Sequence, residues 1–181
     1  MTTETIAYSV TIPASVLKAC LRFSSVTDVR YYLNGLHIDM QDPTRPFLVA
    51  TDGHRLISID LHAHVGAAPL AVTQRGNIPA GVQGGTIPYA LVKSFKAGTG
   101  AKSAAAPVTV TFTGPADPGV DNRGEPIQFR FTQVTLSAPG AMSATLPTVE
   151  GVYPDWRRVS PDPDPAYWHA PDARVFNTDY I

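Results

Sequence analysis

Thr86-Ile87-Pro88-Tyr89-Ala90-Leu91-Val92-Lys93 repeats the pattern of Thr11-Ile12-Pro13-Ala14-Ser15-Val16-Leu17-Lys18 at an offset of 75 residues. Proline suits the first helical position, where its missing N–H would have no intrahelical partner. Each copy therefore reads as a short strand followed by a helix that starts at the proline. Leu91, Val92 and Phe95 then stand where Val16, Leu17 and Cys20 stand, so both helices bury the same face. Two such helices could share composition through capping alone; the other reading is a duplicated chain, and that is the one carried forward.

Working outward, residues 5 to 12 are β-branched and aromatic and read as a strand leading into the first helix, which should end near Phe23 to Ser25. Residues 31 to 40, 47 to 50 and 54 to 61 read as strands. In the last, Leu56, Ser58 and Asp60 share one face and Arg55, Ile57, Ile59 and Leu61 the other. Residues 63 to 85 form a connection with one short strand near Leu70 to Thr73. After the second helix comes a small-residue loop, Gly98 to Ala106, then strands at 107 to 113, 127 to 134 and 135 to 145. Gly114 to Pro126 is expected to be a long, mobile hairpin tip. The expected fold class is α+β, two helices packed on antiparallel sheets with internal pseudo-symmetry.

Two dipeptides punctuate the first half, Asn34-Gly35 and Asp52-Gly53, and both favour positive φ at low steric cost. They flank Arg30-Tyr31-Tyr32-Leu33 and Leu48-Val49-Ala50-Thr51, so two turns present polar side chains at fixed points. At 181 residues and 44% hydrophobic content the chain can bury one full core. It has no apolar run long enough to span a bilayer, and Met1-Thr2-Thr3-Glu4 lacks the features of a signal peptide, so the expected compartment is the cytoplasm. Cys20 is the single cysteine, which excludes an internal disulfide and a zinc site built on several thiolates. Its place on the apolar phase of the first helix makes it a core residue. Residues 1 to 159 hold 13 of the 14 Lys and Arg against 11 of the 15 acids, a net of +2, and residues 160 to 181 a net of −3. Such a balance indicates nucleic-acid binding only where the cations cluster on one face.

Four segments occur in an order that resembles the central domain of the bacterial DNA polymerase III beta subunit, the sliding clamp. They are Arg-Tyr-Tyr-Leu-Asn-Gly (30 to 35), Val-Ala-Thr-Asp-Gly-His-Arg-Leu (49 to 56), the Ile-Pro helix start (87 and 88) and Tyr-Pro-Asp-Trp-Arg-Arg-Val (153 to 159). The resemblance covers about residues 5 to 160. Pro161-Asp162-Pro163-Asp164-Pro165 reads as a stiff linker. Phe176-Asn177-Thr178-Asp179-Tyr180-Ile181 resembles a piece of the following clamp domain, so the expected division is a clamp domain over 1–160 and, over 161–181, a linker with the start of a truncated clamp-like unit.

What the resemblance implies is a DNA clamp fold and a non-catalytic processivity factor. Clamp domains join into a closed ring, a homo-oligomer when intact, with helices around duplex DNA and sheets outside. Lys18 and Arg22 are four apart on the first helix and Lys93 and Lys96 three apart on the second. Each helix could thus carry a basic stripe that meets phosphates without reading bases. Arg30, Tyr31 and Tyr32 match a clamp segment that approaches DNA. The other face of this reading is an ordinary solvated helix surface and, for Tyr32, a core aromatic.

The second implied site is a groove for short linear peptides of DNA polymerase III subunits, the clamp loader and other replication or repair partners. Leu33, Thr51, Gly53, His54, Arg55, Leu56, Pro154, Arg158 and Val159 match the part of that groove made by the central domain. Leu33, Leu56, Pro154 and Val159 would make an apolar floor with Arg and His on its rim. Alternatively, pairing of Asp155 with Arg157 or Arg158 merely ties two segments together.

The chain departs from the family pattern in a first helix about one turn short, in Ala90 where a basic residue is common, and in the Gly114 to Pro126 insertion. These departures suit a rival, a phage- or mobile-element-encoded module that keeps the peptide groove without forming a ring. A second rival, an enzyme, would use Asp52 with His54, or the set His37, Asp39, Asp60, His62 and His64, as a hydrolytic or metal site. Their spacing matches no compact ligand motif, and alternate residues of one strand supply two ligands at most. The clamp reading calls for no catalytic residue, metal or cofactor.

Overall fold

The computed structural model describes residues 4–64, 72–97 and 106–160, the side chains of residues 63 and 64 excepted. The expectations for residues 161 to 181, for the loop from Gly98 to Ala105, for Leu70 and for the His64 side chain lie outside the described residues.

β1 (Thr5–Pro13) runs directly into α1 (Ala14–Cys20), and one 3-10 turn, Leu21–Phe23, prolongs the helix to Ser24. After a second 3-10 turn at Tyr31–Leu33 come β2 (Gly35–Asp39), β3 (Phe47–Thr51), β4 (Leu56–Asp60), a single helical turn α2 (Leu61–His64) and β5 (Val72–Arg75). β6 (Gly84–Pro88) then leads into α3 (Tyr89–Ser94), followed by β7 (Pro107–Pro115), β8 (Gln133–Ser137) and β9 (Ala144–Pro147). The strands form two antiparallel sheets, ordered β5-β1-β7-β8-β9 and β4-β3-β2-β6.

The expected duplication is present in the topology. β1 pairs with β7 and β6 with β2, so each half places its first strand in the sheet of the other. Pro13 and Pro88 hold the same backbone angles, φ −58° with ψ 138° and φ −57° with ψ 138°. The residue after each proline donates its N–H to an equivalent carbonyl, Ala14 to Ala106 at 3.0 Å and Tyr89 to Asn34 at 3.1 Å. Both prolines close a strand with extended ψ and precede the first helical residue, one place earlier than expected.

One core joins the two sheets and the two helices. The alternation of β1 and β7 sends Tyr8, Val10, Ile12, Val108, Val110 and Phe112 inward, where they meet Leu36, Ile38, Leu48 and Ile87 of the other sheet. Leu17 and Cys20 of α1, Leu91 and Val92 of α3, and Phe95 just beyond α3, fill the same core. At seven and six residues these helices are too short to persist alone, and this burial holds them in place. Cys20 is buried, which pushes its thiol up to about 12.

Several strand boundaries differ from expectation, three of them by more than two residues. Residues 31 to 33 curl into a 3-10 turn, so the strand starts only at Gly35. There a Cβ would lie 2.1 Å from the Ile87 carbonyl oxygen; Gly35 therefore serves close approach of β2 to β6, and its φ is not positive. Residues 127 to 132 form no strand, and the stretch 135 to 145 is divided at Pro139-Gly140, where the Ala141 N–H donates to the Ala138 carbonyl at 3.1 Å. The tip between β7 and β8 is organised by Asp121, whose Oδ1 accepts from the N–H groups of Arg123 at 2.8 Å and Glu125 at 2.9 Å.

Candidate peptide groove and basic helix face

All five residues of β2 are buried, although two of them, His37 and Asp39, are polar. Leu36 and Ile38 point into the main core; the opposite face of β2 carries the segment 153 to 157. The Asp39 Oδ2 accepts from Trp156 Nε1 at 2.7 Å and from Arg157 Nη1 at 2.5 Å, and its Oδ1 from the Gln41 N–H at 3.0 Å. Burial alone would raise the Asp39 pKa, but these donors outweigh it and hold the carboxyl below its usual range. The His37 ring stacks on Tyr153 with centroids 4.3 Å apart, and its Nδ1 lies 3.0 Å from Thr86 Oγ1. Burial brings His37 down to about 4, against the pull of Asp39. Arg157 extends over the faces of Trp156 and Phe47. The ion pair that fastens this segment is thus Arg157 with Asp39, and the alternative pairing of Asp155 with Arg157 or Arg158 is not formed among the described residues.

So anchored, Tyr153 and Trp156 join Leu33 and Val49 in a second small apolar cluster, with Tyr32, Phe47 and Leu56 against it. Above this cluster opens a groove of about 460 Å³. Its lining comes from three separate stretches: Arg30, Tyr32 and Leu33; Thr51 and Gly53 to Leu56; and Tyr153 to Trp156 with Val159. Leu33 forms buried floor, while Val159 is 74% exposed and stands at the edge. Of the nine residues that the resemblance assigns to a peptide groove, eight line this one; Arg158 does not. Tyr153, Asp155 and Trp156 also line it and were missed. The signal for Trp156 was in the sequence, as a large aromatic beside the expected floor residues.

The turn on the groove rim is built by local hydrogen bonds. Asp52 Oδ1 accepts from the N–H groups of His54 and Arg55, both at 3.0 Å, and Asp52 Oδ2 pairs with Arg55 Nε at 2.9 Å. These donors outweigh partial burial and lower the Asp52 pKa. Gly53 has φ +91°, and a Cβ there would sit 2.6 Å from the Arg30 guanidinium. Arg30 donates from Nε to Asp28 Oδ1 at 3.0 Å, and from Nη2 to Asp28 Oδ2 at 2.8 Å and the Asp52 carbonyl at 3.2 Å. Hydrogen bonds from the Arg30 side chain and backbone bring the Asp28 carboxyl down to about 2.

The other candidate surface lies on the helices. Lys18 and Arg22, Lys93 of α3 and Tyr89 line a shallow cleft of about 360 Å³ together with Leu21. The Lys93 ammonium lies 5.5 Å from the centre of the Tyr89 ring. Three of the expected DNA-facing cations therefore converge. Lys96 is not on the helix, because Ser94 Oγ bonds back to the Ala90 carbonyl at 2.8 Å and Phe95 turns to extended backbone to bury its ring. Arg30 and Tyr32 line the groove, while Tyr31 is 55% exposed, with its ring against Gly151.

The residues of the enzyme reading are dispersed or already engaged: His37 and Asp39 as above, and Asp60 with Arg45 Nη2 at 2.6 Å and the His62 N–H at 2.9 Å. Among the described residues, no three His, Cys, Asp or Glu side chains come together to hold a metal ion. No helix is long and apolar enough to cross a membrane among the described residues.

No family model and no curated protein matches the chain. Its fold is similar to solved structures of bacterial DNA polymerase III beta subunits. With that of Pseudomonas aeruginosa the TM-score is 0.46 at 20% identity, over 86% of this chain and 35% of the other. With the beta subunit from Streptococcus pyogenes it is 0.49 at 20% identity, over 84% and 33%. With the sliding clamp from Bartonella birtlesii, solved bound to griselimycin, it is 0.46 at 25% identity, over 84% and 34%. The chain spans about a third of the length of the structures it matches.

Proposed function

We propose that this chain is a non-catalytic component of a DNA sliding clamp, which binds short linear peptides in the groove beside Leu33 and faces duplex DNA with the α1 and α3 cations. In this reading residues 1–160 are the clamp domain and residues 161–181 a linker with the start of a further unit. The assembled ring encircles DNA and takes peptides of DNA polymerase III, the clamp loader and other replication or repair proteins. The observation that carries the reading is the groove: stretches more than a hundred residues apart meet there, and eight of the nine residues carried over by resemblance line it. Its chemistry suits a peptide with apolar anchors, since a floor of Leu33, Tyr153 and Trp156 accepts Leu, Phe or Met while His54 and Arg55 stand at the rim.

Leu56→Asp tests it, because a carboxylate against the apolar cluster would lose its hydration when a peptide closed the groove. Binding of a labelled peptide with adjacent Leu and Phe anchors should fall by roughly a hundredfold or more, with DNA association unchanged. A variant that binds the peptide like the parent overturns the groove. The mass of the protein in solution decides separately whether it forms a ring.

A further inference from the structure

The Arg30 guanidinium spans the only polar link seen among the described residues between the Asp28–Asn34 loop and the Asp52–Gly53 turn. Both segments carry groove lining, Tyr32 and Leu33 on one side and His54 to Leu56 on the other. The link is built from both ends. Asp28 also accepts the Arg30 backbone N–H at 2.7 Å, and its own N–H donates to Asn34 Oδ1 at 3.0 Å, which fixes the carboxylate opposite the guanidinium. On the far side Gly53, without a side chain, lets the planar guanidinium lie against the turn. An arginine fork can satisfy a carboxylate through two N–H groups and still reach a carbonyl with the same nitrogen; a lysine ammonium cannot hold this planar geometry.

We propose that Arg30 is a positioning residue of the peptide groove, setting the separation of its two walls, and is not a phosphate contact of the DNA face. The proposal rests on the reading of the groove as a peptide site. The Nε and Nη2 groups of Arg30 are committed to Asp28 and the Asp52 carbonyl, which fixes the guanidinium plane in the groove, while Lys18, Arg22 and Lys93 share a different cleft.

The test uses the full chain with Arg30→Ala, Arg30→Lys, Asp28→Ala and the double alanine variant. It measures binding of the labelled Leu-Phe peptide, the salt dependence of duplex DNA association and the thermal midpoint. Arg30→Ala and Asp28→Ala should each weaken the peptide on the order of tenfold, and the double variant no more than either alone, because the two act as one unit. Arg30→Lys, which keeps the charge and loses the fork, should resemble Arg30→Ala towards peptide and the parent towards DNA. The thermal midpoint and the salt slope should not move. The proposal is overturned if Arg30→Ala binds peptide like the parent, or if it lowers the DNA salt slope by about one. A parent that takes no peptide at all overturns the groove reading, and the positioning role with it.

Discussion

Asp39 shows how one residue decides whether a groove wall exists. It is 4% exposed and holds both Trp156 and Arg157, so its loss would release the segment that forms the floor. Asp39→Asn should lower stability by about 2 kcal/mol, below the usual cost of breaking a buried pair because Arg157 remains 38% exposed and keeps part of its hydration; urea denaturation measures it. The pH dependence has a definite sign. His37 titrates at about 4 when folded and near 6.5 when unfolded. The unfolded chain thus takes up a proton that the folded chain refuses, and stability is full above about pH 6.5 and lost towards pH 4. Asp39, with its folded pKa depressed, keeps its contribution above an unfolded value of about 3.9 and loses it at still lower pH. The urea midpoint should therefore fall in two stages, and His37→Gln should flatten the first. Tyr153 behaves differently again. Among the described residues its buried hydroxyl has no hydrogen-bond partner, the Thr51 backbone beside it falling outside bonding geometry, whereas the buried Tyr8 hydroxyl donates to the Pro43 carbonyl at 3.0 Å. Tyr153→Phe should raise stability by about 1 kcal/mol, and a loss instead would mean that the hydroxyl has a partner.

Among the elements, the turn from β3 to β4 is the most constrained. Asp52 caps two N–H groups, Thr51 Oγ1 donates to the Arg55 carbonyl at 2.8 Å and accepts from the Gly53 N–H at 3.0 Å, and Gly53 adopts φ +91°. Gly53→Ala combines left-handed strain with a collision against the guanidinium, and should cost about 1–2 kcal/mol while weakening peptide binding, read by thermal denaturation and by titration. The sequence showed this turn plainly, since Asp-Gly between apolar runs is local chemistry. It did not show the Tyr31–Leu33 turn, where aromatic and apolar residues have strand-like composition but are held by the Leu33 N–H bond to the Arg30 carbonyl at 2.9 Å. Pro139-Gly140 was equally readable as a turn, and passing over it merged β8 and β9 into one long strand.

At the scale of the whole molecule, the exchange of first strands between halves sets α1 and α3 side by side with their exposed faces turned the same way. Lys18 and Lys93 meet for that reason, 75 residues apart in sequence and equivalent in the repeat. If this face meets phosphates, Lys18→Ala with Lys93→Ala should reduce the slope of log K against log salt by about two and leave peptide affinity intact. A DNA affinity with unchanged salt dependence would assign these lysines to plain solvation.

The repeat, the helix starts, the Asp52-Gly53 turn and most of the groove were open to reading in the chain, because each depends on residue order within a few positions or on motifs that keep their order. Only the folded molecule could place Arg157 on Asp39, 118 residues apart, or put Arg30 in the groove, since charge pairing is chosen by which strand faces which segment. The repeat itself gained most from the structure. Thr86 to Lys93 matched Thr11 to Lys18 as two similar helix starts, and the sheets showed why they match: each proline ends a strand that belongs to the other half's sheet, and antiparallel register then requires the same turn into the same core.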